Sequence, residues 1–137
     1  MSIPEADRLI AALKMSPHPE GGYYRETFRD GEGRGHSSAV YFLLKSGQVS
    51  WWHRVDAAEV WHYHRGAPLV LTIATDGVVK THVLGPGIEQ GEAPQVVVPA
   101  GAWQMAKSLG DFTLVGCTVA PGFEFAGFEL APRDFRP

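Results

Sequence analysis

From Tyr23 to Leu130 the chain is cut into short apolar or alternating runs by glycine, proline and aspartate, with a break roughly every ten residues. No segment of this region carries a helical apolar repeat long enough to make the crossover helices that parallel strands need. What remains is antiparallel sheet folded on itself, as a sandwich or barrel of jelly-roll type. Strands are predicted at Tyr23–Arg29, Ser38–Leu44, Val49–Arg54, Val60–His64, Leu69–Ala74, Val78–Leu84, Gln95–Val98, Met105–Ala106, Thr113–Val119 and Phe123–Leu130. Asp76-Gly77 is the clearest hairpin signal, because a two-residue turn between twisted strands requires positive φ at both positions.

Ahead of this region, Ala6, Leu9, Ile10 and Leu13 recur at helical spacing, and Ser2-Ile3-Pro4-Glu5 has the form of a capping box. A short N-terminal helix is expected, stopped before Pro17. The reading is one domain over residues 1–137, with helix and turn over 1–17 and β-barrel over 18–132.

Composition narrows the function classes. A net charge of −3 with twelve scattered Lys and Arg offers no electrostatic footprint for nucleic acid. Apolar runs such as Val40–Leu44 and Val96–Val98 are strand-sized, so no membrane span is expected. The acidic, polar first residues do not resemble a secretory leader, which makes the cytoplasm the expected compartment. Cys117 is the only cysteine; it sits among Leu114, Val115 and Val119 as a small core residue, and neither an intrachain disulfide nor a cysteine-based zinc site is possible. The expected partner is a small molecule, with a second copy of the chain.

Two stretches can carry chemistry. In the first, His53 follows Gly47 by six positions, Glu59 follows His53 by six, and Gly66 comes seven later; a turn through Asp56-Ala57-Ala58 would bring an inward histidine and an inward carboxylate onto adjoining strands. In the second, Pro99-Ala100-Gly101-Ala102-Trp103-Gln104, proline and glycine make a tight turn before a polar residue able to reach the same interior.

These stretches resemble the paired motifs of the cupin superfamily, in which two histidines and a glutamate from the first motif and a histidine from the second bind a divalent metal. Carried over by position, His53 is the first histidine and Glu59 the carboxylate, whereas Val55 stands at the second histidine position and Gln104 at the third. The resemblance therefore implies a cupin-type jelly roll, or double-stranded β-helix, with half the usual ligands missing. No tightly bound metal is expected; weak or incidental divalent metal on His53, Glu59 and Gln104 is the alternative. A narrower resemblance, to the Cupin_5 family, rests on His18-Pro19-Glu20-Gly21-Gly22-Tyr23-Tyr24-Arg25-Glu26-Thr27, His53-Arg54-Val55 with Glu59-Val60-Trp61-His62, Val98 to Gln104, and Ala120-Pro121-Gly122-Phe123-Glu124-Phe125. It implies the fold and no general activity.

Strand alternation makes further expectations. If Glu59 faces inward, so do Trp61 and Tyr63, while His62 and His64 face outward. Trp51 shares a face with His53, so Trp51 and Trp61 would wall a pocket suited to a flat, polar, ring-containing metabolite, with His53, Glu59 and Gln104 orienting it. Arg25 is the natural anchor for an anionic group. Gly31–Gly35 is a flexible hairpin tip rather than a phosphate loop, since no helix follows it. Three functions compete: a metal-independent small-molecule pocket; a sugar or nucleotide-sugar epimerase or isomerase with His53 as general base and Tyr63 or Tyr41 as proton donor; and a metal-dependent enzyme using His53, Glu59 and Gln104. Cupin barrels commonly pair through their sheets, so a homodimer is expected, with His62 or His64 near the interface.

Overall fold

The chain's β-branched and aromatic runs form eleven strands, described by a computed structural model over residues 2–137. Six strands make one sheet: β1 (Ser16–Pro17), β2 (Tyr23–Arg29), β3 (Ser38–Lys45), β10 (Phe112–Ala120), β5 (Ala58–Gly66) and β8 (Gln95–Val98), in that spatial order. The other sheet runs β11 (Phe128–Leu130), β4 (Val49–Val55), β9 (Trp103–Ser108), β6 (Leu69–Thr75) and β7 (Val78–Leu84). All ladders are antiparallel, and β10, late in the chain, sits between β3 and β5. This is a jelly roll, and it agrees with the fold class read from the sequence. Between β6 and β7, Asp76 and Gly77 take φ of 51° and 76°, as the two-residue hairpin requires.

The inner faces of the two sheets meet in a core that includes Phe42, Leu44, Trp61, Leu69, Leu71, Leu84 and Val115. Burying each such aliphatic or aromatic side chain contributes roughly 1.5–3 kcal/mol. Phe42 and Trp61 of this core also line a cavity.

Helix α1 (Glu5–Ala12) lies on the outer face of the six-stranded sheet, where Ala6, Leu9, Ile10 and Leu13 pack against Leu43, Phe112 and Leu114. That cover explains why β10 is buried along both faces. The expected capping box does not form: Pro4 is the N-cap, with no side-chain cap bond. Glu5 is thus the first helical residue, two positions too early to reach back as a capping-box acid. Glu5 and Asp7 instead place negative charge in the first turn and pair with Arg65 and Lys45 of the sheet, each at 2.6 Å.

The predicted closing strand Phe123–Leu130 is shorter than expected. Residues Phe125–Gly127 form a 3₁₀ turn and only Phe128–Leu130 pairs, with β4. A Cβ on Gly127 would lie 2.3 Å from the Asp56 carboxylate, so the chain turns there through a residue with no side chain. The Gly31–Gly35 tip is latched to this segment, since Arg34 Nε donates to the Gly122 carbonyl and Arg29 Nη2 to the Phe123 carbonyl, both at 2.6 Å.

Candidate functional site

A cavity of about 320 Å³ opens at the end of the barrel under Phe123, Phe125 and Phe128. The His18–Glu20 turn, strands β2, β3, β4, β5 and β10, Gly33 of the β2–β3 connection and the Phe123–Phe128 segment build it.

Strand β4 carries a bulge. Ser50 pairs with Ala106 and His53 with Gln104, so three steps on β4 oppose two on β9. The extra residue turns both Ser50 and His53 inward, where they are 0% and 2% exposed. It also overturns the expectation for Trp51, which points away from the cavity, donates from Nε1 to the Pro132 carbonyl at 3.1 Å and packs with Trp52 and Trp103.

On β5, Glu59 and Trp61 face inward and line the cavity. Gln104 lies behind them, almost fully buried. Trp61 Nε1 can only donate, and it donates to Gln104 Oε1 at 2.8 Å. The amide nitrogen of Gln104 therefore faces Glu59 and donates to its Oε1, also at 2.8 Å. Gln104 is a bridge between two cavity side chains and does not itself reach the cavity surface.

The remaining sequence-predicted residues lie elsewhere. Tyr63 packs against the core and spends its hydroxyl on the Gly66 carbonyl at 2.5 Å. Tyr41 is on the outer face with the helix cluster. Neither tyrosine lines the cavity, so the proton donor expected for an epimerase is not supplied by them; Tyr24 is the tyrosine that lines it. Arg25 is exposed on the outer side and donates to the Leu13 carbonyl at 3.3 Å, because the residues of β2 facing the cavity are its neighbours Tyr24 and Glu26. His62 and His64 face outward: His62 contacts Thr118 and Gln95, and a Cβ on Gly116 would meet the His64 ring at 2.6 Å.

Sequence reasoning missed His18, Glu20 and Ser50. His18 and Glu20 sit in a Pro- and Gly-rich turn, yet both reach the cavity. Gly21 and Gly22 allow it: their φ values are 111° and 79°, and a Cβ on either would strike the Val49 or the Leu43 carbonyl. Glu20 accepts from the Ser50 hydroxyl and lies 3.5 Å from His53 Nε2 and 3.4 Å from His18 Nδ1. The available signal was the His-Pro-Glu-Gly-Gly run itself, a histidine and an acid beside two glycines.

Hydrogen bonding fixes both histidine tautomers. His53 Nδ1 lies 2.7 Å from the Trp51 carbonyl, which can only accept, so Nδ1 carries the proton and Nε2 presents a lone pair. His18 Nδ1 accepts from the Glu20 backbone N–H at 3.1 Å, so its proton is on Nε2. Burial holds His18 down at about 4, helped by nearby His53, and also lowers His53 against the opposing pull of Glu59. Burial pushes Glu20 up to about 8, against the Ser50 hydrogen bond, and raises Glu59 as well. The Cys117 thiol, buried beside Glu59, is raised too. At neutral pH the floor is thus two uncharged imidazoles and a protonated Glu20.

The metal set of the cupin motifs does not fit these residues. Val55 offers no donor, and the oxygen of Gln104 is already committed to Trp61. Among the described residues, no group of three or more His, Cys, Asp or Glu side chains is arranged to hold a metal ion.

The family model for Cupin_5, described as Cupin superfamily (DUF985), matches residues 7–131. The chain belongs to the Cupin_5 family. Its relatives include the uncharacterized protein YML079W of Saccharomyces cerevisiae, 27% identical over 142 residues, covering 86% of this chain and 71% of the yeast protein. Protein SO0799 from Shewanella oneidensis superposes with a TM-score of 0.88 at 39% identity, over 94% of this chain and 85% of its own. A hypothetical protein from Leishmania major superposes at 0.86 and 32% identity, over 93% and 88%. Oxalate decarboxylase from Bacillus subtilis superposes at 0.68 with 20% identity, over 83% of this chain and 29% of that one, a likeness of fold alone. Among the described residues of this Cupin_5 chain, no helix is long and apolar enough to cross a membrane.

Proposed function

We propose that the cavity binds a small, polar, ring-containing metabolite and does so without a tightly held metal. The observation that carries this reading is the Trp61–Gln104–Glu59 chain of hydrogen bonds. It occupies the third metal-ligand position with a group that braces the cavity wall and leaves Trp61 and Glu59 to meet a ligand. The volume and the mixture of aromatic wall with a few convergent polar groups suit a ligand of one or two rings.

The test is ligand-dependent stabilisation across nucleobases, nucleosides, nucleotide sugars and sugar acids. A ligand at ~100 times its dissociation constant adds roughly 2.7 kcal/mol to folding stability, and His53→Ala abolishes the shift. A panel whose shifts are all untouched by His53→Ala removes the site from this cavity. Elemental analysis of untagged protein is expected to find iron, nickel, manganese and zinc well below one per chain; a stoichiometric metal ends the metal-independent half of the proposal.

The homodimer is part of the same proposal. It is supported by exposed valines on edge strands, Val78 and Val79 on β7 and Val97 on β8. Light scattering that finds only monomer at micromolar concentration overturns it.

A further inference from the structure

The cavity is rich in acids and acceptors and has no free cation. Glu20, Glu26, Glu59 and Glu124 line it, and the only Lys or Arg among its lining residues is Arg29. That guanidinium is already committed: Nε and Nη2 bond Glu26, Nη1 donates to the Arg34 carbonyl and Nη2 to the Phe123 carbonyl. Glu26 is therefore matched, and Glu124 lies 3.6 Å from Arg34 at the rim. Deeper in, Glu20 and Glu59 face only histidines, Ser50, Gln104 and Cys117, none of which is a fixed positive charge.

A second observation comes from the imidazole and the aromatic walls. His53, 2% exposed, has its Nδ1 proton committed to the Trp51 carbonyl, which leaves Nε2 as an acceptor on the cavity lining, 3.5 Å from Glu20 Oε1. The walls are the rings of Tyr24, Phe42, Trp61, Phe123, Phe125 and Phe128. Aromatic faces attract a desolvated cation and offer nothing to an anion. Acceptors on the floor, π faces on the walls and unmatched acids all call for a ligand that brings hydrogen-bond donors and positive charge.

We infer that the ligand of this cavity is a small organic cation, a protonated amine or amidine borne on a ring, with its N–H groups directed at Glu59, Glu20 and His53 Nε2. This rests on the cavity being a ligand site, as proposed above, and adds the charge of the ligand. It also reverses the anionic substrate for which Arg25 was the expected anchor.

Binding a cation beside Glu20 draws off the proton that burial holds there, so affinity rises with pH below about 8. The titratable groups facing Glu20 are His18 on its own turn, His53 on β4, Glu59 on β5 and Cys117 on β10.

The test uses one ring with three charges: benzamidine, benzamide and benzoate, titrated calorimetrically into the full chain between pH 6 and 8. Benzamidinium is expected to bind at least about tenfold more tightly than benzamide, with benzoate weakest. Its affinity is expected to climb with pH, approaching roughly tenfold per unit, while that of benzamide stays flat. Glu59→Gln and Glu20→Gln, each checked for folding by circular dichroism, bring benzamidinium toward benzamide. Equal or tighter binding of benzamide or benzoate overturns the charge assignment and leaves the cavity as the ligand site. Failure of benzamidine to bind at millimolar concentration overturns it too, and if the metabolite panel also gives no shift, the cavity reading falls with it.

Discussion

Replacing Glu20 by glutamine isolates one buried proton in the stability of the whole chain. Glu20 ionises near 4.5 in an unfolded chain but is held at about 8 in the folded one, chiefly by burial. Above pH 4.5 the unfolded chain gives up a proton that the folded chain keeps. Stability therefore falls as pH rises, by about 1.4 kcal/mol per unit, until folded Glu20 ionises near 8. His18, lowered from 6.5 to about 4, acts in the opposite sense: its contribution is complete above 6.5 and is lost as pH falls toward 4. From pH 4.5 to 6.5 the two slopes cancel. From 6.5 to 8 only that of Glu20 remains, which over 1.5 units amounts to about 2 kcal/mol. In a chain of 137 residues this corresponds to roughly 7 °C in Tm. Glutamine keeps an oxygen to accept from Ser50 and carries no titrating proton, so Glu20→Gln should lack this decline. Glu59, also raised, adds to the alkaline limb in both proteins, so the readout is the difference between them. Urea unfolding at pH 6.5, 7, 7.5 and 8 should show that difference growing by about 2 kcal/mol in favour of the variant. A difference that stays constant across the range refutes the assignment of a buried, protonated Glu20.

Gln104→Leu strands the Trp61 indole N–H and one oxygen of Glu59, and at roughly 1–3 kcal/mol per unsatisfied group it should cost about 2–6 kcal/mol in urea unfolding. A loss under about 0.5 kcal/mol would mean that the bridge does not exist. Gly22→Ala puts a Cβ 2.8 Å from the Leu43 carbonyl at a φ of 79°, whereas Gly31→Ala, at a φ of 71°, meets nothing within 4 Å. The second should cost only the left-handed backbone, about 1 kcal/mol, and the first distinctly more; equal Tm losses would contradict the packing of the His18–Gly22 turn.

How much of this was legible beforehand differs between fold and site. The Gly, Pro and Asp punctuation and the alternation between breaks marked nearly every strand, because turn residues and period-two patterning are local properties of the chain. The same logic located His53 and Glu59 on adjoining parts of the barrel. It failed at Trp51 because a single extra residue in β4 inverts the facing of everything beyond it, and a bulge is decided by the partner strand. It failed at Phe123–Phe128 because closely spaced aromatics look like a strand, whereas here a 3₁₀ turn at Phe125–Gly127 interrupts them.

By itself the sequence determined that this chain folds as antiparallel sheet after a short N-terminal helix, and that the motif positions hold one histidine, one acid and one amide. The tertiary structure alone decided what those groups face. Only there do Gly21 and Gly22 carry His18 and Glu20 into the cavity, the bulge aims Ser50 and His53 at them, and burial sets which of them hold protons. Charge state and facing depend on neighbours from distant parts of the chain, and no local pattern encodes them.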